Sequence, residues 1–186
     1  ERKAVLLGNA AAQHPQASAL LALAQWIGEH TGASVGYLTQ NGNAVGAQLA
    51  GALPGAGGLS AGQMLTQPMK ALLLLDVEPE LDAANAAAAR AALGASGLVV
   101  AFTSFADAHV PDADVMLPIA AFTETAGTYV NAEGRVQAVQ GVVRPAGEAR
   151  PAWKVLRVLG NLLGLDGFEQ ETAEEVAREV LGDTAT

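Results

Sequence analysis

The residues KALLLLDV at positions 70–77 decide the fold, because they form the strongest strand pattern in the chain. The leucines follow one another without polar alternation, which is typical of a parallel strand covered on both faces. Pro79 is expected to end the strand, because proline cannot extend a hydrogen-bonded ladder. A buried parallel strand needs partner strands and covering helices, so the flanking sequence must supply both.

Strand and helix patterns alternate on both sides of this segment. On the N-terminal side the sequence predicts a strand, a helix and a second strand, at residues 3–8, 15–29 and 33–38. Pro15 fits the first turn of that helix and Gly32 fits its end. On the C-terminal side it predicts a helix and two strands, at residues 81–93, 97–102 and 115–117. This alternation favours a mostly parallel sheet with helices packed against it.

Two further helices are predicted after residue 140, where the character of the chain changes. One face of the segment 151–164 carries Trp153, Leu156, Leu159 and Leu163. This spacing indicates an amphipathic helix that docks on another part of the protein. The next helix opens with Thr172 and Glu175 at the spacing of a capping box.

The predicted fold class is α/β, a three-layer α/β/α sandwich with a mostly parallel sheet, a β-hairpin and C-terminal helices. We predict an α/β domain over residues 1–145 and a helical extension over residues 146–186 that packs on it. The glycine-rich segment 40–65 is predicted as a loop with a short helix from Ala44.

The composition excludes several classes of function. The 186 residues are 51% hydrophobic and carry a formal net charge of −9, which does not suit binding to nucleic acid or to an anionic membrane surface. There is no cysteine, so the chain itself can hold no disulfide, thiolate-bound metal or cysteine-ligated iron–sulfur cluster. No apolar run is long enough to span a bilayer, and no signal peptide is recognisable. Because the chain starts with Glu1 rather than Met, we expect a piece of a longer protein.

The usual motifs of enzyme active sites are incomplete in this chain. A dinucleotide-binding loop needs three glycines at defined spacing, whereas the first strand is followed by Gly8 alone. No second ligand stands at helical spacing from His14, His30 or His109, so no metal site is predicted. Ser104 lies too close in sequence to His109 for the geometry of a catalytic triad.

The polar and turn-forming residues are concentrated in FTETAGTYVNAEGRVQ, residues 122–137, which could be an active site or a hairpin. Strand-forming runs at 128–130 and 135–139 flank NAEG. In that turn Asn131 can begin the reversal through its side chain and Gly134 can take a positive φ. We favour the hairpin, because it accounts for both residues without any chemistry.

Further motif positions also have a structural interpretation. Gly127 would let the chain enter the hairpin sharply, and Glu124 and Arg135 are close enough in sequence to form an ion pair. We assign no catalytic, cofactor-binding or metal-binding residue. The motif positions with a predicted structural role are Glu124, Gly127, Thr128, Asn131, Glu133, Gly134 and Arg135.

The same segment resembles the molybdopterin oxidoreductase superfamily. The resemblance rests on ADVMLPIAAFTETAGTYVNAEGRVQ at 113–137 and on GEARPAWKVLRVLGNLLG at 147–164. Within the superfamily the chain is most similar to the large iron–sulfur subunit of bacterial NADH-quinone oxidoreductase, respiratory complex I. Weaker likenesses at LLGNAAAQHPQA, NGNAVGAQLAG and KALLLLDVEPELD extend the resemblance over nearly the whole chain.

The resemblance implies the C-terminal region of that subunit, which keeps the molybdoenzyme fold without a molybdenum cofactor. The parent subunit holds its [2Fe–2S] and [4Fe–4S] clusters upstream, which agrees with the absence of cysteine here. The parent complex transfers electrons from NADH through FMN and these clusters to quinone, coupled to proton translocation. The implied partners are other subunits of the peripheral arm, with neither nucleic acid nor membrane insertion. The implied location is cytoplasmic, peripheral to the inner membrane, and the fragment alone is expected to be inactive.

One departure from the superfamily supports a lost cofactor site. In pterin-binding relatives the strand that matches Leu72–Leu75 ends in a Gly-x-Asn-Pro loop near the cofactor. Here the loop reads DVEP, which we interpret as Val77 in place of the glycine and Glu78 in place of the asparagine. A carboxylate is a poor neighbour for an anionic pterin phosphate.

Two alternatives remain open. The chain could be a fragment of a molybdopterin-dependent oxidoreductase such as a formate dehydrogenase large chain, or a free-standing α/β binding domain. Formate dehydrogenases more often carry an arginine where Gly134 stands, which favours complex I. The missing initiator methionine and the missing site chemistry count against the free-standing domain.

Overall fold

The computed structural model describes residues 2–105 and 113–182 of the chain. The chain divides into two compact units. The first comprises Glu1–Ala52, Thr128–Ala138 and Val180–Thr186, and the second comprises Leu53–Gly127 and Val139–Glu179. The domain boundary at residue 145 stays a prediction.

The first unit contains a two-stranded parallel sheet with helices at its carboxyl end and along one side. Strands β1 (Ala4–Leu7) and β2 (Ser34–Tyr37) pair in parallel. Helices α1 (Asn9–Ala12) and α2 (Ala17–Thr31) connect them, and α3 (Ala44–Leu49) follows, as expected from Ala44 onward. Helix α2 packs closely on the sheet, because a Cβ added at Gly28 would lie 2.6 Å from the Val35 side chain.

The start of α2 differs from the prediction, whereas its end agrees. Pro15 lies before the helix rather than in its first turn. A separate turn precedes α2, in which the Ala17 N–H donates to the His14 carbonyl over 2.9 Å. The helix ends at Gly32, whose φ of 68° confirms the predicted glycine termination.

The second unit contains a three-stranded parallel sheet. Its strands are β3 (Leu72–Leu75), β4 (Val99–Thr103) and β5 (Val115–Pro118), in the order β3-β4-β5. Its first helices are α4 (Ala61–Met64), α5 (Pro79–Asp82) and α6 (Ala86–Ala95). The single helix predicted at 81–93 is thus two helices, because the Asn85 side chain caps a new helix by accepting from the Ala88 N–H over 3.0 Å.

The core of the second unit covers one face of β3. Leu72, Leu93, Val99 and Ala101 form the buried cluster. On the opposite face Leu73 is 52% exposed and Leu75 44% exposed. The prediction that this strand is covered on both faces is therefore wrong, because only Leu72 and Leu74 face the core.

The remaining elements are a hairpin and two helices. Strands β6 (Gly127–Val130) and β7 (Val136–Val139) form the hairpin, followed by α7 (Ala152–Leu162) and α8 (Ala173–Leu181). The α/β class, with parallel strands, a hairpin and C-terminal helices, is confirmed. Within the described ranges, no helix is both long and apolar enough to cross a membrane.

The end of α7 corrects the predicted docking face. Leu162 is 80% exposed and Leu163 64% exposed, so the buried face does not extend to Leu163. The chain turns back after the helix and places the Phe168 ring on Gly160, where a Cβ would collide with it. The returning segment, held by the Asn161 side chain to the Phe168 carbonyl over 2.9 Å, packs against Gly160 near the end of the helix, on the same face as Trp153 and Leu156.

Candidate functional site

The carboxyl ends of the three parallel strands of the second unit meet at one edge of the sheet, where ligands bind in open α/β sheets. Leu75, Phe102 and Leu117 are in register at this edge. The residues that follow β3 are Asp76, Val77 and Glu78, and Ser104 follows β4. This edge is the place where a cofactor of the superfamily would be sought.

Asp76 has an unusual backbone conformation. Its φ is 50°, and it is the one non-glycine residue with positive φ in the described part of the chain. This conformation favours glycine, because a Cβ there crowds the following carbonyl. Counting back from Pro79, the glycine of a Gly-x-Asn-Pro loop falls at Asp76. The sequence interpretation that Val77 replaces the glycine is therefore wrong by one residue, whereas Glu78 does stand at the asparagine.

A cavity of about 420 Å³ opens beside this edge at β4 and β5. Its lining is mainly apolar, with the polar groups of Thr103, Ser104 and Glu124, and it contains neither Lys nor Arg. An anionic pterin needs cationic side chains, backbone N–H groups or a helix N-terminus around its phosphates. The side chains present at this edge do not fit such a group, because the ionisable ones are carboxylates.

Glu124 is held within its own turn. Its Oε2 accepts a hydrogen bond of 3.2 Å from the Ala121 N–H and so closes the 3₁₀ turn Phe122–Glu124. Glu124 and Arg135 belong to different units, so their predicted ion pair stays a prediction.

The hairpin turn satisfies its own backbone groups. The Asn131 Oδ1 accepts from the Glu133 N–H over 3.0 Å and from the Arg135 N–H over 2.9 Å. The Gly134 N–H donates to the Asn131 carbonyl over 2.9 Å, and Gly134 has a φ of 81°. The predicted roles of Asn131 and Gly134 in the turn therefore agree with this geometry.

The other motif positions have less specific surroundings. Gly127 is the first residue of β6 and is not among the glycines with positive φ, and the sharp entry predicted for it stays a prediction. Glu133 and Arg135 are exposed and contribute their N–H groups to the turn. Thr128 is half-buried, and its carbonyl is the acceptor described next.

Asn43 holds the outer edge of the hairpin. Its Nδ2 donates to the Thr128 carbonyl over 3.2 Å, and its Oδ1 accepts from the Val130 N–H over 2.8 Å. The side-chain amide thus takes the place of a peptide group from a neighbouring strand. It forms hydrogen bonds with two backbone groups at the edge of β6 that would otherwise lack partners. A Cβ added at Gly46 would collide with this amide, so Gly46 leaves room for it.

Sequence reasoning missed Asn43. An asparagine directly before a helix predicts an N-cap, yet Asn43 makes no side-chain cap bond to α3. Its partners lie more than 80 residues away, at separations of 85 and 87. No local pattern reports such a contact, and the only trace in the sequence is the small residue Gly46 three positions later.

A second cavity, of about 590 Å³, lies in the first unit beside the carboxyl ends of β1 and β2. Its lining has no charged residue, and its polar side chains are mainly amides. These are Asn9, Gln13, Gln40, Asn41 and Gln48, together with Tyr37 and Thr39. The two candidate cavities therefore differ in chemistry, one neutral and hydrogen-bonding, the other apolar with a carboxylate.

The remaining candidates named from the sequence lie only partly within the described residues. No three His, Asp or Glu side chains within residues 2–105 and 113–182 gather as metal ligands. His14 accepts from the Gln16 N–H over 3.0 Å, and His30 stacks on Trp26 with ring centroids 4.1 Å apart. Ser104 is described, but Asp107 and His109 lie outside the described residues.

Comparison with known proteins shows the family to which the chain belongs. The profile of the family described as molybdopterin oxidoreductase matches residues 1–162, so the chain belongs to the molybdopterin oxidoreductase family. This agrees with the resemblance carried by the hairpin segment and the α7 segment.

Individual relatives resemble shorter parts of the chain. The mitochondrial NADH-ubiquinone oxidoreductase 78 kDa subunit of Candida albicans is 55% identical over 51 residues, 27% of this chain and 7% of the relative. The NADH-ubiquinone oxidoreductase 75 kDa subunit of Reclinomonas americana is 46% identical over 61 residues, 31% of this chain and 9% of the relative. A putative formate dehydrogenase of Staphylococcus aureus is 38% identical over 69 residues, 36% of this chain and 7% of the relative.

Proposed function

We propose that this chain is a cofactor-free structural part of the large iron–sulfur subunit of NADH-quinone oxidoreductase. Two of the relatives reported above are the 75 and 78 kDa subunits of NADH-ubiquinone oxidoreductases. In the proposal the parent subunit passes electrons from NADH, through FMN and iron–sulfur clusters, toward quinone. This chain contributes none of the redox centres and is inactive alone.

The observation that carries the proposal is the replacement at the end of β3. Asp76 stands where the superfamily's motif has glycine and takes a left-handed conformation, and Glu78 stands where the motif has asparagine. Glycine is needed in such a loop when a ligand approaches the backbone closely. An aspartate at this position adds a Cβ and a negative charge to a loop that, in the pterin-binding members the sequence resembles, lies near the cofactor.

The motif residues of the hairpin support the same proposal. The Asn131 Oδ1 and the Gly134 backbone close the turn, and the β6 edge is bound by the Asn43 side chain. In this proposal the motif therefore serves folding, and its surface contacts other subunits of the peripheral arm of a membrane-associated complex, without insertion of this chain into the bilayer.

The alternative is a fragment of a molybdopterin-dependent oxidoreductase. The similarity to a putative formate dehydrogenase favours it. Gly134 counts against it. Formate dehydrogenases are expected to carry an arginine at this position more often, and an arginine at a φ of 81° would cost about 1–3 kcal/mol. The carboxylates that follow β3 count against it as well. A free-standing α/β binding domain has no observation in its favour beyond the neutral cavity of the first unit.

Cofactor content and subunit association test the proposal together. The chain is purified from a host that makes molybdopterin, and its molybdenum and pterin are measured by elemental analysis and by fluorescence after oxidative release. We expect neither, and we expect the tagged chain to retain other peripheral-arm subunits when co-expressed with them. Stoichiometric pterin would contradict the proposal in favour of a molybdoenzyme. Failure to retain any subunit would contradict the structural role.

A further inference from the structure

Asn41 and Gly42 form the one Asn-Gly dipeptide in the sequence, and they lie in the turn between β2 and α3. Both residues are exposed. An Asn-Gly pair is the sequence most prone to spontaneous deamidation, because glycine lets its backbone nitrogen approach the preceding side chain. The conformation of this turn decides whether the reaction proceeds in the folded chain.

The turn leaves the reacting groups free. Within residues 2–105 and 113–182, the Gly42 N–H and the Asn41 side chain make no hydrogen bond. The Asn41 carbonyl is held by two long bonds only, of 3.4 Å each, from the Ala44 N–H and the Thr39 hydroxyl. No atom lies within 4 Å of a Cβ built on Gly42, so the space around the glycine is open.

We propose that Asn41 is a site of spontaneous deamidation in the folded chain. The Gly42 nitrogen attacks the Asn41 Cγ, a C–N bond forms, and the bond from Cγ to Nδ2 breaks. The side-chain nitrogen leaves as ammonia and carries away the proton lost from the Gly42 N–H. Water then opens the cyclic imide at either carbonyl and gives aspartate or isoaspartate, with no change of oxidation state.

The neighbouring asparagine provides an internal contrast. Asn43 is followed by Ala44, and both ends of its amide are bound to β6. Its side chain is therefore held away from the next backbone nitrogen. The asparagines at 9, 85, 131 and 161 also precede residues other than glycine. Within one chain, Asn41 alone combines the glycine with a free side chain.

The reaction changes the chemistry of the first-unit cavity. Asn41 lines it, and no other lining residue is charged. Aspartate at 41 would bring the first carboxylate to a neutral, amide-lined surface. Isoaspartate would also lengthen the main chain directly before the turn that presents Asn43 to β6.

Peptide mapping by mass spectrometry tests the proposal. The folded chain is incubated at mildly alkaline pH and digested at intervals, with the Asn41→Asp variant as a standard for the product. We expect aspartate and isoaspartate to accumulate in the peptide that contains Asn41, while the other asparagines remain intact. Accumulation first at another asparagine would overturn the proposal.

Gly42→Ala is the matched variant. A Cβ fits at this position and φ is not positive, so the variant should fold and melt like the natural chain. We expect loss of deamidation at Asn41 over the same incubation, because the methyl group hinders attack by the backbone nitrogen. Equal accumulation in both proteins would show that Gly42 does not control the reaction and would contradict the mechanism.

Discussion

The hairpin turn and the end of β3 use the same left-handed backbone conformation with different residues. Gly134 takes a φ of 81° in the hairpin, whereas Asp76 takes a φ of 50° after β3. Glycine adopts this conformation without steric cost, and aspartate tolerates it at a cost. The hairpin thus has glycine where its turn requires it, whereas the sheet edge has an aspartate in a conformation that favours glycine. The α/β fold of the family is present, and the proposed loss of its ligand site rests on this aspartate.

The largest expected effect comes from removing the amide that holds the hairpin edge. Asn43→Ala should lower the free energy of unfolding by about 2–3 kcal/mol, because it leaves the Thr128 carbonyl and the Val130 N–H without partners at a partly buried position. Chemical denaturation measures this change. Asn41→Ala, in the same turn with a free side chain, is the matched control and should change stability by less than about 0.5 kcal/mol. Equal effects of the two substitutions would mean that Asn43 does not hold β6.

The next largest effect is expected at Gly134, where the hairpin turn requires a positive φ. Gly134→Val should destabilise the chain by roughly 1–3 kcal/mol, because a β-branched residue is strained at a φ of 81°. Gly134→Asn should cost less, since asparagine tolerates the left-handed region. An unchanged denaturation midpoint in the valine variant would rule out this turn.

The opposite sign is expected at the sheet edge. Asp76→Gly should raise the free energy of unfolding by about 0.5–1 kcal/mol, because the Cβ that crowds the left-handed conformation is removed. Asp114→Asn is not a suitable control, because the Asp114 Oδ2 accepts a hydrogen bond from the Val99 N–H. Asp82→Ala in α5 is measured for comparison, because it removes the acceptor of the Glu78 N–H and so shows the effect of losing a local cap. A destabilised Asp76→Gly variant would mean that the aspartate is held there by an interaction of its own.

The smallest effect concerns the start of helix α8. The Glu175 carboxylate accepts from the N–H groups of Glu171 and Thr172, which lowers its pKa below the ordinary value, with a further contribution from Arg178. A lowered pKa adds stability above the pKa of the unfolded chain, and that stability is lost as the pH falls through the folded pKa. Glu175→Gln should therefore flatten the acid limb of the α8 helicity curve measured by circular dichroism. An identical acid limb in the variant would contradict the claim that the Glu175 carboxylate stabilises the start of α8.

Local features of the sequence predicted local structure well. The end of α2 at Gly32, the turn at Gly134 and the cap formed by Thr172 and Glu175 agree, because each depends on a few neighbouring residues. Predictions that depended on distant packing were less accurate. The leucine run of β3 predicted cover on both faces, and α7 was expected to bury Leu163. Hydropathy reports which residues favour burial but not which parts of the protein are present to bury them.

In the candidate site, too, the local turn could be predicted from the sequence, whereas the backbone conformation and the distant contact could not. Asn131 and Gly134 could be assigned to a turn from their order in the sequence alone. The backbone conformation of Asp76 could not, since a sequence gives no direct report of φ, and the glycine of the motif was aligned with Val77, one position late. The contact of Asn43 with β6 depends on residues 85 and 87 positions away and left no periodic pattern.

A titration of the purified chain with molybdopterin guanine dinucleotide, followed by isothermal calorimetry, tests the central claim most directly. The claim is that carboxylates at Asp76 and Glu78 have replaced the loop that accommodates an anionic pterin. The account predicts no saturable binding by the natural chain. Stoichiometric binding by the natural chain, which has carboxylates at both positions, would contradict the claim and place the chain among the cofactor-binding members of its family.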